Sequence, residues 1–160
     1  GEETLNAAYL QFLASKQAQD IISEEGYVSM IDNASSYVPD PALEGTINIS
    51  GSTSLQPLML KLAEKYKELQ SKVTVTVSGG GSGTGYKDAK EGVSDFGMIS
   101  EEFNDEKAPG CSHYIVAKDG IAVIVHKDNG VSNISLETLK NIYDCEAGES
   151  AVKTWAEVEK

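Results

Sequence analysis

Twice in this sequence a strand pattern runs into a knot of glycines and hydroxyls and then into a helix pattern. The first passage is Ile49-Ser50-Gly51-Ser52-Thr53-Ser54-Leu55-Gln56-Pro57. The second is Ser78-Gly79-Gly80-Gly81-Ser82-Gly83-Thr84-Gly85. Strand-to-helix turns of this kind belong to α/β folds with parallel strands. They gather backbone N–H groups and short hydroxyls at one spot, which suits an oxyanion. In open α/β sheets ligands sit beyond the carboxyl ends of the strands, where both turns fall. The pair predicts binding of a small anion rather than chemistry on it.

The surrounding periodicities agree. Residues 3–26 read as helix, with Leu5, Tyr9, Phe12, Leu13, Ile21 and Ile22 on one face. Ser15 is placed to cap a second helix there, and Gly26 to end it. Residues 29–44 are polar, carry two prolines and read as a linker or surface excursion. Thr46 to Ser50 reads as a strand, and residues 54–70 as an amphipathic helix with Leu55, Leu58, Leu62, Tyr66 and Leu69 on one face. Pro57 fits only the first turn of that helix. Residues 72–77 alternate as a strand. A short helix ending at Gly92 follows the glycine loop, and 95–100 reads as the next strand. His113 to Ala117 and Ile121 to His126 read as two further strands, and 135–144 as a helix capped by Ser135.

Composition removes several alternatives. A net charge of −12 argues against nucleic acid, which needs a basic surface. An acidic protein can still hold an oxyanion in an uncharged nest of donors. All thirteen basic residues are Lys, so a bidentate guanidinium clamp is impossible within this sequence. No apolar run approaches the ~20 residues that span a bilayer. His113 and His126 lack metal-ligand spacing, and no metal or cofactor is expected. Cys111 and Cys145 are the two cysteines, able to pair in an oxidising compartment or to stay free.

The glycine loop is not a nucleotide loop. A phosphate loop needs Gly-Lys followed by Ser or Thr, whereas Gly85 precedes Tyr86 and Lys87. No register of its glycines gives GxGxxG. Ser52, Ser54 and Ser82 lack a nucleophile elbow, so an enzyme is not expected.

On these residues, 45–145 resemble the phosphate-binding, PstS-like component of phosphate ABC transporters, two-lobed proteins that work outside the cytoplasmic membrane. The matching pieces are Ser50 to Pro57, Gly80 to Gly85, Glu91-Gly92-Val93-Ser94-Asp95-Phe96-Gly97-Met98, Asp119 to Val125, and Leu136 to Tyr143. The resemblance implies one lobe of a type II periplasmic-binding-protein fold: an α/β three-layer sandwich with a mostly parallel sheet and the N-terminal helices packed on it. It implies phosphate-binding roles for Thr53, Ser54, Ser82 and Ser100, with Ser52 and Gly83 beside them. It implies inorganic phosphate or a related oxyanion as ligand and the membrane subunits of an ABC importer as partners. The implied location is extracytoplasmic, either periplasmic or at the cell surface on a lipid anchor of the full-length protein. Where some members carry Ser followed by Arg, this sequence has Ser100-Glu101, and Glu101 would repel a dianion if it faced the site.

Residues 1–28 resemble the closing helices of the same family, so the order is tail first and head second. The expected layout is closing helices at 1–28, linker at 29–44, first lobe at 45–118, and crossover strand with the start of a second lobe at 119–160. Such an order reads as a piece spanning the end of one repeat and the front of the next, or as a permuted single lobe. A contrasting reading is an interaction or signalling module that keeps the fold without the ligand.

Overall fold

The computed structural model describes residues 1–120 and 122–158. They divide into two compact units, Gly1–Gly120 and Ile121–Lys160.

The larger unit is built on three parallel strands, β1 (Gly45–Gly51), β2 (Val73–Ser78) and β3 (Phe96–Met98), in the order β2-β1-β3. Ile47 pairs with Val75 on one side, and Ile49 pairs with Phe96 on the other. Helix α3 (Gln56–Leu69) joins β1 to β2, and α4 (Ser82–Glu91) carries the chain back across to β3. The chain therefore reverses its direction of progress between β1 and β3, and the ends of those strands form a topological switch point.

The sheet's two faces differ in chemistry because side chains alternate along a strand. Ile47, Ile49, Phe96 and Met98 join a core with Leu58, Leu62 and Tyr66 of α3. Helices α1 (Glu2–Leu13) and α2 (Lys16–Glu24) add Leu5, Tyr9, Phe12 and Ile22 to the same core. Tyr9 meets Tyr66 edge-on at 5.0 Å, and Phe12 lies 4.9 Å from Tyr66. The apolar stripe at 5–22 is thus an integral layer, each of its buried side chains contributing roughly 1.5–3 kcal/mol. On the opposite face α4 rests on small and polar groups. Ser50 donates to Asp88 at 2.7 Å and shares a hydrogen bond with Ser94 at 2.7 Å.

Local signals act where expected. Ser15 caps α2, accepting from the Ala18 N–H, and Gly92 ends α4 in the left-handed region. Pro57 sits in the first turn of α3.

The stretch at 29–44 is polar in sequence yet docked in space. Three glutamine side chains read its backbone. The Tyr37 N–H donates to Gln17 Oε1 (2.9 Å), the Met30 N–H to Gln19 Oε1 (3.0 Å) and the Asp40 N–H to Gln70 Oε1 (2.7 Å). Tyr37 itself is buried, its ring 5.7 Å from Tyr66 and its hydroxyl 3.3 Å from the Tyr66 hydroxyl.

The two later strand expectations fail. His113 to Ala117 is irregular, and its neighbour Lys118 makes an isolated antiparallel bridge with Val28. Ile121 lies outside the described residues, and Ala122 to His126 is irregular and exposed. An apolar run becomes a strand only where a neighbour offers its row of N–H and C=O groups. Neither run pairs with a strand among the described residues. In the smaller unit, α5 (Leu136–Tyr143) forms under its Ser135 cap, with Leu136 and Tyr143 exposed. Cys111 and Cys145 are free thiols.

Candidate anion-binding site

At the end of β1 the chain must turn under β3. Gly51 has φ 132°, and a Cβ there would stand 2.3 Å from the Met98 carbonyl oxygen, so no other residue fits. Ser52 follows, almost fully buried, its N–H donating to the Met98 carbonyl at 2.9 Å. Its hydroxyl accepts from the Leu55 N–H (3.3 Å) and its carbonyl from the Gln56 N–H (3.1 Å). Ser52 thereby closes the turn into α3. Thr53 and Ser54 are left exposed on top, and neither their N–H groups nor their hydroxyls have a hydrogen-bond partner among the described residues.

The glycine loop then crosses directly over this turn. The Gly81 N–H donates to the Gly51 carbonyl at 2.9 Å. A Cβ on Gly79 would stand 2.7 Å from Gln56 Oε1 and 3.2 Å from the Thr53 methyl. Gly80 and Gly81 take φ values of 134° and 91°, a left-handed path that brings the chain from the edge strand to the central one. Thr84 pins the loop, its hydroxyl donating to the Gly80 carbonyl at 2.9 Å. Helix α4 opens at Ser82, and the N–H groups of Ser82, Gly83 and Thr84 have no partner among the described residues. Gly83 is exposed with open space around it, so it contributes an N–H donor rather than a close approach.

The chain leaving β3 reaches the same place from the other side. The Ser100 N–H donates to Ser82 Oγ at 3.1 Å, and the two hydroxyl oxygens lie 3.3 Å apart. Of the residues expected at a site, Ser82 and Ser100 are in direct contact. Thr53 packs where the loop starts, Ser54 follows it, Gly83 lies in the first turn of α4, and Ser52 is withdrawn beneath.

The electrostatics favour a negative guest locally despite the overall charge. Two helix N-termini, of α3 and α4, open here with their partial positive charge. No acidic side chain occupies the first turn of either helix. Glu101, next to Ser100, is ion-paired with Lys107 at 2.7 Å. That contact raises the Lys107 pKa above its ordinary value, the hydrogen bond to Glu101 being the largest cause. Sequence reading missed Gln56, whose oxygen closes the loop side of the turn, and the Lys107 contact. Neither carries a local pattern, because each depends on loops brought together by the sheet.

Among the described residues, no cluster of three or more His, Cys, Asp or Glu side chains could hold a metal ion, and no helix is long and apolar enough to cross a membrane.

The sequence profile of the PBP superfamily domain matches residues 36–159. The phosphate-binding protein PstS 2 of Streptococcus pneumoniae is 34% identical over 139 residues, which is 87% of this chain and 47% of that protein. The phosphate-binding protein PstS of Bacillus subtilis is 35% identical over 79% of this chain and 41% of its own length. The chain thus spans about half the length of the curated relatives it matches. A crystal structure of a phosphate-binding protein of a phosphate ABC transporter from S. pneumoniae superposes with a TM-score of 0.80 at 31% identity. It covers 96% of this chain and 57% of that one. A putative phosphate ABC transporter substrate-binding protein from Clostridium perfringens, solved with bound phosphate, gives a TM-score of 0.51 at 37% identity, over 71% of this chain and 45% of that one.

Proposed function

The chain belongs to the PBP superfamily, and from that premise we propose that its larger unit is a phosphate-binding lobe of a PstS-like substrate-binding protein. In the full-length protein it would deliver phosphate to the membrane subunits of an ABC importer from outside the cytoplasmic membrane, free or on a lipid anchor. The observation that carries this reading is the set of unpartnered N–H groups at Thr53, Ser54, Ser82, Gly83 and Thr84, gathered at two helix N-termini. Such donors bind an oxyanion without a counter-charge. Thr53, Ser54, Ser82 and Ser100 add hydroxyls, and Ser52 sets the geometry of the turn. The role is binding rather than catalysis, in keeping with the transport proteins it resembles.

We also infer that helices, linker and lobe form one permuted unit. The alignment with the S. pneumoniae relative, 139 residues long, exceeds the stretch from Gly45 onward, so it takes in part of what precedes Gly45. That supports helices, linker and lobe as one continuous unit rather than pieces of two repeats. Residues 119–160 then serve as crossover and start of the second lobe.

The test is an amide-shift titration of the chain by NMR with phosphate and, separately, sulfate. Shifts centred on Thr53, Ser54, Ser82 and Gly83 are expected with phosphate. Silence at tens of millimolar would instead favour the ligand-free interaction module.

A further inference from the structure

The Ser100-Glu101 step puts a carboxylate one residue from the contact between Ser82 and Ser100, where an anion would be repelled. Adjacent Cα atoms are ~3.8 Å apart, so this charge lies within a Debye length, ~10 Å at 0.1 M salt, of the site. Three further carboxylates, Glu102, Asp105 and Glu106, follow within the same loop. One cation answers Glu101 directly, Lys107 at 2.7 Å, and it is held in a built setting. Its Nζ stands 5.1 Å from the centre of the Tyr86 ring, a cation–π distance. Tyr86 belongs to α4 and is buried. Its hydroxyl accepts from the Asn104 N–H (3.0 Å) and donates to the Glu102 carbonyl (3.3 Å), and Phe103 stacks on its ring at 6.0 Å. His113 stacks on Phe103 in turn, at 4.8 Å. The loop that carries Glu101 and Lys107 is therefore strapped to the helix whose N-terminus opens at the site.

We propose that Lys107 is a positioning residue for anion binding: held over Tyr86, it pairs with Glu101, turns that carboxylate away from Ser82 and Ser100, and cancels its charge. The proposal rests on the oxyanion reading of the site. It assigns to a Lys–Glu pair on a strapped loop the removal of a repulsion that the sequence alone would place at the ligand.

The experiment compares wild type with Lys107→Met, Lys107→Arg, Glu101→Gln and the double variant Glu101→Gln/Lys107→Met. Without ligand, relaxation enhancement by anionic and cationic nitroxide cosolutes reports the potential at the Ser82, Gly83 and Ser100 amides. Lys107→Met should make that potential more negative, and the double variant and Lys107→Arg should return it to the wild-type value. With inorganic phosphate, Lys107→Met should weaken binding about fivefold at low salt, as expected for an uncovered unit charge acting on a dianion through partly screened solvent. The double variant should recover binding to within about twofold, and added salt should shrink the difference. A purely structural role for Lys107 would give neither the rescue nor the salt dependence. An unchanged potential in Lys107→Met, or a double variant as weak as Lys107→Met, overturns the proposal. A potential that shifts as stated in a chain that never responds to phosphate overturns the oxyanion reading instead, and leaves the charge cancellation standing.

Discussion

Gly97 lies so close beneath Gly85 that a Cβ on it would stand 2.1 Å from the Gly85 carbonyl oxygen. A Cβ on Gly85 would in turn stand 2.2 Å from the Met98 carbonyl oxygen. Helix α4 and strand β3 thus touch backbone to backbone, and this sets the height at which α4 presents Ser82 to Ser100. Gly97→Ala must push the helix off the sheet, because the opposing atoms are main chain and cannot rotate away. Overpacking of this kind costs roughly 1–3 kcal/mol, which for a unit of this size lowers Tm by several degrees. Calorimetry should show that loss. The Ser82 and Ser100 amide resonances should move in the same variant, since their contact depends on the same spacing.

Tyr9 supplies a second test. It is fully buried, and its hydroxyl finds no hydrogen-bond partner among the described residues. A buried hydroxyl without a partner costs about 1–3 kcal/mol, so Tyr9→Phe should hold or raise Tm. Tyr9→Ala removes the ring that meets Tyr66 and Phe96 and should cost about 3–5 kcal/mol, the range for large aromatic truncations.

The same burial makes stability fall at alkaline pH. Desolvation raises the hydroxyl pKa of both Tyr9 and Tyr66 above the ordinary value, and for Tyr66 its bond to Tyr37 adds to the effect. In the unfolded chain these tyrosines ionise near ~10. Above that pH the unfolded state has lost protons that the native state keeps, so stability falls as pH rises. The contribution is fully present below pH ~10 and declines above it by up to ~1.4 kcal/mol per pH unit for each tyrosine. Urea midpoints measured between pH 8 and 11.5 should show the decline, with a shallower slope in Tyr9→Phe.

Much of this fold could be read directly from the sequence. The signals for β1, β2, α3 and α4 are local: alternation, a proline in a first turn, glycines that only a left-handed backbone uses. The core stripe from Leu5 to Ile22 was legible for the same reason. Residues 113–117 and 122–126 were misread because an apolar run records a preference for burial and not the presence of a pairing partner. The linker was legible as polar but not as docked. Gln17, Gln19 and Gln70 look like ordinary surface residues until the tertiary fold turns their amides toward the backbone of Met30, Tyr37 and Asp40. At the site, the hydroxyls were visible, whereas Gln56 and Lys107 come from positions that only the folded loops bring near.

Gln70 tests that docking. It is buried, accepting from the Asp40 N–H at 2.7 Å and donating to the Asp40 carbonyl at 2.9 Å. Gln70→Ala leaves the Asp40 N–H without its partner, while the Asp40 carbonyl keeps the Leu43 N–H at 3.1 Å, and should cost about 1–3 kcal/mol. Hydrogen exchange should quicken at residues 37–43 more than in β1. A uniform change across the larger unit would mean that the linker is not held as an independent latch.

The last expectation concerns affinity. A micromolar site amounts to about −8 kcal/mol. A helix N-terminus contributes roughly 0.3–1 kcal/mol, up to ~2 when partly buried, and a hydrogen bond to a charged group roughly 1.5–3 before ordering costs. Thr53 and Ser54 are exposed, so water competes for every donor, and the sequence holds no Arg to fork onto the anion. Ser82 and Ser100 already hydrogen-bond to each other, and part of that contact must be exchanged for the ligand. Phosphate binding by the 160-residue chain should therefore be millimolar or weaker, with the largest amide shifts at Thr53 and Ser54. A low-micromolar Kd by titration calorimetry would require donors from outside this chain, such as a second copy, and a matching rise in mass by light scattering would identify it.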